Sequence, residues 1–202
     1  MFDNDLKLKN ANKANDIIAV NDTSNNALAQ AKEHFSDNDF QKTIDVCEKI
    51  TSMETSSDSN SIILEAFYLW CLACLKLNRL DEVLDVCSKS RARFDSYIDL
   101  AYFELIAVCA RGAIPDIPGF AQQYMNLWSK VEKGADPHKN RTFGLAGQVL
   151  LMWGQALEQL RSPDEALDIY KKYMLIHPED TDIADRIASM ETPENLKSSE
   201  TG

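Results

Sequence analysis

Two cysteines three positions apart, in the run Trp70-Cys71-Leu72-Ala73-Cys74, have the spacing in this chain best suited to chemistry. A thiol-disulfide oxidoreductase carries such a pair at the exposed start of a helix, where the pKa of the first thiol is lowered. Here the pair lies in the middle of an apolar run, which predicts a buried helix. We therefore predict that Cys71 and Cys74 pack in the core and perform no redox reaction.

The other reactive side chains form no catalytic or metal-binding pattern. A zinc site needs two close pairs of Cys or His, whereas the remaining ones are isolated at Cys47, Cys87, Cys109, His34, His138 and His177. No glycine-flanked serine lies near a histidine, and the sequence has no glycine-rich phosphate loop. The adjacent carboxylates Asp81-Glu82 and Asp164-Glu165 fall in predicted first turns of helices, where the helix dipole explains them. The sequence predicts neither an enzyme nor a cofactor nor a metal.

The composition favours long helices in a reducing compartment. The 202 residues include only 7 glycines and 6 prolines, fewer than the turns of a many-stranded sheet would need. The formal net charge of -11 argues against binding to nucleic acid or anionic lipid, which needs clustered Lys and Arg. We find no secretory signal at Met1, and an odd number of cysteines, five, fits a reducing compartment. No apolar run is long enough to span a membrane. A cytoplasmic location is predicted.

The clearest architectural signal runs from Gly147 to Asp180 and predicts two amphipathic helices joined by a tight turn. Counted from Gly147 as position 1, the residues at positions 8, 20, 24 and 32 are Gly154, Ala166, Tyr170 and Pro178. This spacing resembles the 34-residue tetratricopeptide repeat (TPR), and we expect these four residues to pack the repeat. Small residues allow the two helices to approach, and larger ones fill the margins. Ser162-Pro163-Asp164-Glu165 predicts a capping box at the start of the second helix.

A single hairpin of this kind cannot bury its apolar face, so further hairpins are expected beside it. The first, within Ala27 to Ile50, has Ala31 and Cys47 at positions 8 and 24. The second, from Ile62 to about Phe94, has Cys71, Val83 and Cys87 at positions 8, 20 and 24. A third pair, from Tyr97 to about Val131, lacks the repeat signature.

The resemblance implies an all-α fold, namely a TPR-like α-solenoid of about four helical hairpins plus a short C-terminal capping helix. We expect that last helix at Thr181 to Met190. The expected organisation is a flexible N-terminal arm at residues 1–22, a TPR-like helical domain at 23–190 and a disordered tail at 191–202.

The repeat is best known for clamping the carboxylate end of chaperone tails with Lys, Asn and Arg on its first helices. In this sequence the matching positions hold Leu28, Lys32 and Leu69, so a clamp of this kind is not expected. We interpret the chain instead as a non-catalytic scaffold or adaptor whose solenoid surface binds a partner protein, as a helix or a peptide. The candidate contacts are aromatic residues in excess of what the helices cover, namely Tyr97, Tyr102, Phe103, Trp128 and Trp153.

From about Asn25 to Tyr173, the layout is also similar to the cytosolic part of the tail-anchored peroxins that recruit the peroxisomal AAA ATPases. The residues behind this similarity are Asp39-Phe40-Gln41-Lys42-Thr43-Ile44-Asp45-Val46-Cys47-Glu48, Leu80-Asp81-Glu82-Val83-Leu84 and Ser162-Pro163-Asp164-Glu165-Ala166. The resemblance implies a peroxisome biogenesis factor, as a soluble form or fragment of the membrane anchor, at the peroxisomal membrane surface with an AAA ATPase on its N-terminal hairpins. A regulatory subunit of an enzyme complex is a second alternative.

Overall fold

The structure is a computed structural model, and it describes residues 23–53, 60–94, 97–134 and 140–192. In these ranges the chain forms nine α-helices and no β-strand, with bounds α1 23–36, α2 Phe40–Ser52, α3 Asn60–Lys76, α4 Leu80–Arg93, α5 Ile98–Ala110, α6 Ile117–Gly134, α7 Ala146–Gln159, α8 Pro163–Met174 and α9 Thr181–Met190. Short 3-10 turns precede α6 at Ile114–Asp116 and α7 at Phe143–Leu145. The predicted arm and all but two residues of the predicted tail lie outside the described residues.

The helices fall into two compact units, Met1–Asp95 and Ser96–Gly202. Within the first unit, α2 packs against α3 and α3 packs against α4. Within the second unit, each helix from α5 to α9 packs against the next one along the chain. Within each unit, these helices are therefore neighbours both in sequence and in space, as expected for consecutive hairpins.

Each hairpin turns through one residue with a left-handed backbone. These residues are Asn38, Asn78, Gly112 and Arg161, with φ of 61°, 56°, 69° and 58°. In each turn the next residue donates its backbone N–H to the carbonyl five residues earlier, as from Asp39 to His34 and from Ser162 to Leu157. This hydrogen bond satisfies a carbonyl at the end of the first helix and is the closure of a Schellman motif. The four turns therefore share one geometry despite their different residues.

The common turn extends the repeat frame to the third pair of helices, α5 and α6. Asn38, Asn78 and Arg161 all stand at position 15 of their frames, and placing Gly112 there puts Leu105 at position 8 and Ala121 at position 24. Both residues are fully buried. The large residue thus stands at position 8 and the small one at position 24, the reverse of the last hairpin. Because the sizes are exchanged, the signature is absent from the sequence while the turn geometry is kept.

Positions 8 and 24 meet between the two helices of a hairpin. In the last hairpin, a Cβ added to Gly154 would lie 2.4 Å from Cε1 of Tyr170. In the second hairpin, Sγ of Cys71 lies 3.7 Å from Sγ of Cys87. The two positions are therefore in contact in both hairpins, and at Gly154 the tyrosine ring leaves no room for a side chain.

The start and end of α8 differ in detail from the sequence prediction. Ser162 is the N-cap residue, but its hydroxyl accepts no hydrogen bond from the helix, so the predicted capping box is wrong. The first turn is exposed, and water can satisfy its N–H groups instead. The helix ends at Met174, and Pro178 lies exposed in the following turn. Ala166 and Tyr170 are fully buried in the core of this hairpin.

Replacing Arg161 by Gly should stabilise the second unit by about 1 kcal/mol, because a residue with a Cβ is strained in the left-handed conformation. Differential scanning calorimetry on the full chain measures this change. Asn78→Gly is the matched control and should change the stability by only a few tenths of a kcal/mol, since Asn tolerates this conformation. A lower melting temperature for Arg161→Gly would show that the arginine side chain stabilises the turn.

Candidate functional site

An apolar groove of about 400 Å³ opens between α6, α7 and α8 of the second unit. Each helix contributes a short stripe of residues at helical spacing, which places the side chains on one face. The lining residues are Gln122, Met125 and Trp128 from α6, Leu150 and Trp153 from α7, Lys172 from α8, and Leu175 and Ile176 from the turn that follows α8. We call this surface the α6–α8 groove.

The two tryptophans of the groove are held in place by different contacts. Trp128 donates its Nε1–H to the carbonyl of Phe143 at 3.0 Å, and its ring stacks on that of Phe143 with the centroids 5.6 Å apart. Trp153 packs against the core cluster formed by α7, α8 and α9. The ammonium of Lys172 lies 6.0 Å from the centroid of the Trp153 ring, within reach of a cation–π interaction. Both rings therefore present fixed apolar surface to the groove.

Two apolar side chains project into solvent at the end of α8. Leu175 is 84% exposed and Ile176 is 38% exposed. Both follow Met174, the last residue of α8, so they lie in the turn and not on the buried face of the helix. An isolated exposed leucine is ordinary, but these two residues extend the apolar surface of the tryptophans. The sequence contained a signal for this surface, namely an apolar pair directly before His177-Pro178, where a helix is expected to end.

A buried carboxylate, Asp99 of α5, fixes the segment that supports Trp128. Its Oδ1 accepts hydrogen bonds from N–H and Oγ1–H of Thr142, both at 2.7 Å, and its Oδ2 accepts from N–H of Arg141 at 3.3 Å. Tyr124 of α6 donates its hydroxyl to the carbonyl of Thr142, and burial raises the pKa of this tyrosine. Asp99 is fully buried. This cluster holds the chain before α7, and with it the carbonyl of Phe143 that Trp128 requires.

The structure brings Trp128 and Trp153 together but places the other three predicted contact residues elsewhere. Tyr97 is half-buried just before α5. Tyr102 donates its hydroxyl to Gln148 at 3.2 Å, and its ring lies 6.0 Å from that of Tyr124. Phe103 is 3% exposed, so a partner cannot reach it in the folded unit. Sequence reasoning missed the groove residues Gln122, Met125, Leu150, Lys172, Leu175 and Ile176.

The positions that would form a carboxylate clamp are occupied in other ways. Leu28 and Leu69 are buried, at 9% and 6% exposure. Lys32 forms an ion pair with Glu65, with Nζ and Oε1 3.1 Å apart. These residues therefore serve packing and a local ion pair in the first unit.

The two cysteines of the Cys71–Cys74 motif lie in the middle of α3 and are fully buried. Burial raises the pKa of the Cys74 thiol to about 12, so the reactive thiolate is scarcely populated near neutral pH. Sγ of Cys71 lies 3.7 Å from Sγ of Cys87 of α4, so it packs against a second buried side chain. Position and pKa both favour packing over redox chemistry for this motif.

In residues 23–53, 60–94, 97–134 and 140–192, no group of three or more His, Cys, Asp or Glu side chains is arranged to hold a metal ion. Within the same ranges, no helix has the length and apolar character needed to cross a bilayer.

Comparison with known proteins identifies the fold and goes no further. No protein-family profile and no curated protein sequence matches the chain. The solved structure of MamA MSR-1 is similar, with a TM-score of 0.50 at 17% identity over 88% of this chain and 89% of that one. MamA AMB-1 has a TM-score of 0.47 at 16% identity over 86% of each chain.

MamA is a TPR-like helical protein. The all-α, TPR-like solenoid fold expected from the sequence is confirmed by the helical structure together with the likeness to MamA MSR-1. Neither the peroxin resemblance, with its AAA ATPase partner, nor the enzyme-regulatory alternative gains support from these comparisons.

Proposed function

We propose that the protein is a non-catalytic scaffold that binds a segment of a partner protein in the α6–α8 groove. The observation that carries this proposal is Leu175, which remains 84% exposed beside Ile176 and the two tryptophans. Continuous apolar surface of this kind marks interaction sites on folded proteins. Tryptophans surrounded by apolar neighbours are also the residues that most often dominate binding energy at interfaces.

The groove lies on the second helices of two successive hairpins, α6 and α8, with α7 between them. It thus differs from the carboxylate clamp of the TPR family, which lies on first helices, because only α7 among the three helices of the groove is a first helix. Apart from Gln122, Lys172 and the two indole N–H groups, the described lining residues are apolar, and the indole N–H of Trp128 already donates to the carbonyl of Phe143. A partner would therefore be held mainly by apolar contact, as an amphipathic helix is held in a groove.

A photo-cross-linking amino acid placed at position 175 tests this proposal in the cells that naturally produce the protein. We expect cross-linking mass spectrometry to recover one dominant partner from this position. The matched control is position 160, because Leu160 is 37% exposed in the same unit but does not line the groove. Identical cross-linked proteins at both positions, or none at position 175, would contradict the proposal.

The substitution Leu175→Glu should reduce partner recovery by at least about tenfold, because a charge in an apolar interface must be desolvated. Affinity capture of the tagged full chain, followed by quantitative mass spectrometry, measures this loss. The fold should be unaffected, since the side chain is exposed. Leu160→Glu serves as the control and should leave recovery unchanged.

A further inference from the structure

Among the described residues that line it, the α6–α8 groove has an apolar surface with one charged side chain, the ammonium of Lys172. This ammonium lies 6.0 Å from the centroid of the Trp153 ring, and no carboxylate of the described residues forms an ion pair with it. The neighbouring Lys171 differs, since its Nζ lies 2.7 Å from Oε1 of Glu191. Lys172 therefore places a positive charge at the edge of an apolar surface.

We propose that the groove binds an amphipathic helix whose apolar ridge is flanked by one carboxylate, which pairs with Lys172. This inference rests on the proposed function and adds the chemistry of the partner segment. The carboxylate would meet the ammonium where the ring of Trp153 already attracts positive charge. The apolar residues beside the carboxylate on the partner helix would cover the indole of Trp153 and the side chain of Leu175. The ion pair would then be partly removed from water and stronger than a fully exposed one.

The dimensions of the groove fit about two turns of a helix. Gln122 and Trp128 are six residues apart on α6, which corresponds to about 9 Å along the helix axis. A partner helix with apolar residues at positions i, i+3 or i+4, and i+7 covers a similar distance on one face. A small apolar anion fits less well, because Leu175 projects into solvent at 84% exposure and would not enclose it.

The charge of the whole chain limits how acidic the partner segment should be. With a formal net charge of -11, the chain repels a highly acidic molecule at long range. At physiological ionic strength this repulsion is screened beyond about 8 Å, whereas contact with Lys172 acts at shorter distances. The favoured segment therefore carries one carboxylate beside its ridge and is neutral or basic elsewhere.

A display library of helix-forming 16-residue peptides, selected against the full chain in 150 mM salt, tests this inference. A peptide counts as dependent on the groove when it binds the wild-type chain but not the Leu175→Glu variant. We expect them to share an apolar ridge with Asp or Glu at one fixed offset. Selection against Lys172→Glu should enrich Lys or Arg at the same offset, because the charge requirement is reversed.

For one selected acidic peptide, isothermal titration calorimetry should give a Kd about tenfold weaker with Lys172→Glu and within about twofold with Lys172→Arg. Lys171→Glu is the matched control and should change the Kd by less than about twofold, since Lys171 is paired with Glu191 and does not line the groove.

Groove-dependent binders without an acidic preference would overturn the inference and leave the proposed function standing. Absence of groove-dependent binders would also overturn it, while the cross-linking result at position 175 separately decides the proposed function. Displacement of the peptide by micromolar dodecanoate, with direct binding of that anion, would assign the groove to a lipid and overturn the inference as well.

Discussion

Replacing Gly154 by Leu lowers the free energy of unfolding of the second unit by about 3 kcal/mol. A Cβ at this position would lie 2.4 Å from Cε1 and 2.8 Å from Cδ1 and Cζ of Tyr170, and real Cβ atoms do not approach other atoms so closely. The tyrosine ring is fully buried, so it has no room to move without separating α7 from α8. Overpacking of this kind typically destabilises a core by about 1–3 kcal/mol, and a leucine lies at the upper end.

Urea denaturation followed by circular dichroism measures this effect on the full chain. The control is Gly119→Leu in α6 of the same unit, where an added Cβ meets nothing within 4 Å. That variant should be as stable as the wild type or slightly more so, because leucine has the higher helix propensity. Equal stabilities for the two variants would show that α7 and α8 are not packed through Gly154.

A double-mutant cycle identifies the ring as the cause. Gly154→Ala combined with Tyr170→Cys reproduces the residues Ala31 and Cys47 that the first hairpin has at positions 8 and 24. Each single substitution is expected to destabilise the unit, the first by overpacking and the second by a cavity. The combined effect should fall short of the sum by at least about 1 kcal/mol, since the smaller side chain makes room for the methyl group.

The second large effect is expected for Asp99→Ala, which lowers the stability of the second unit by about 3 kcal/mol. The substitution leaves the buried N–H and hydroxyl of Thr142 without their acceptor, and each unsatisfied buried group costs about 1–3 kcal/mol. Asp116→Ala in the same unit is the control, because Asp116 is exposed and its loss should matter little.

Hydrogen exchange gives this prediction a local measurement. The amide of Thr142 should lose most of its protection from exchange in Asp99→Ala. Amides in the middle of α8 should lose only the protection that the lower global stability of the unit accounts for. Asp99→Asn retains one oxygen acceptor and should be intermediate. A protected Thr142 amide in the alanine variant would show that another group replaces the carboxylate.

Much of the fold could be predicted because the helices and their pairing are encoded in local patterns. The spacing of Gly154 and Tyr170 was read from the sequence, and the structure places the two side chains in contact. The third hairpin was harder, because Leu105 and Ala121 carry the two sizes in the opposite order. A pattern that assigns one residue size to each position cannot detect such an exchange. Packing requires instead that the summed volume of the two facing side chains fills the space between the helices.

The groove was less predictable, because it depends on which side chains remain uncovered after packing. Trp128 and Trp153 were expected at a surface, yet nothing in the sequence separates them from Phe103, which is buried. The role of Asp99 was also missed, since a carboxylate in the first turn of a helix is ordinarily explained by the helix dipole. Its partners lie more than forty residues later, in a loop without periodic signal.

The shared turn geometry also shows where the chain tolerates changes of length. The left-handed residues at 38, 78, 112 and 161 are separated by 40, 34 and 49 positions. Relative to a 34-residue period, the first and third of these intervals contain 6 and 15 additional residues. These residues lie partly in the helices, since α3 and α6 have 17 and 18 residues while α4 and α5 have 14 and 13, and partly in the connections at 53–59 and 135–145. The turn inside each hairpin is thus constant while the lengths around it vary, and the connections between hairpins are the places where an epitope, a fluorophore or a second binding segment can be inserted without disturbing a turn.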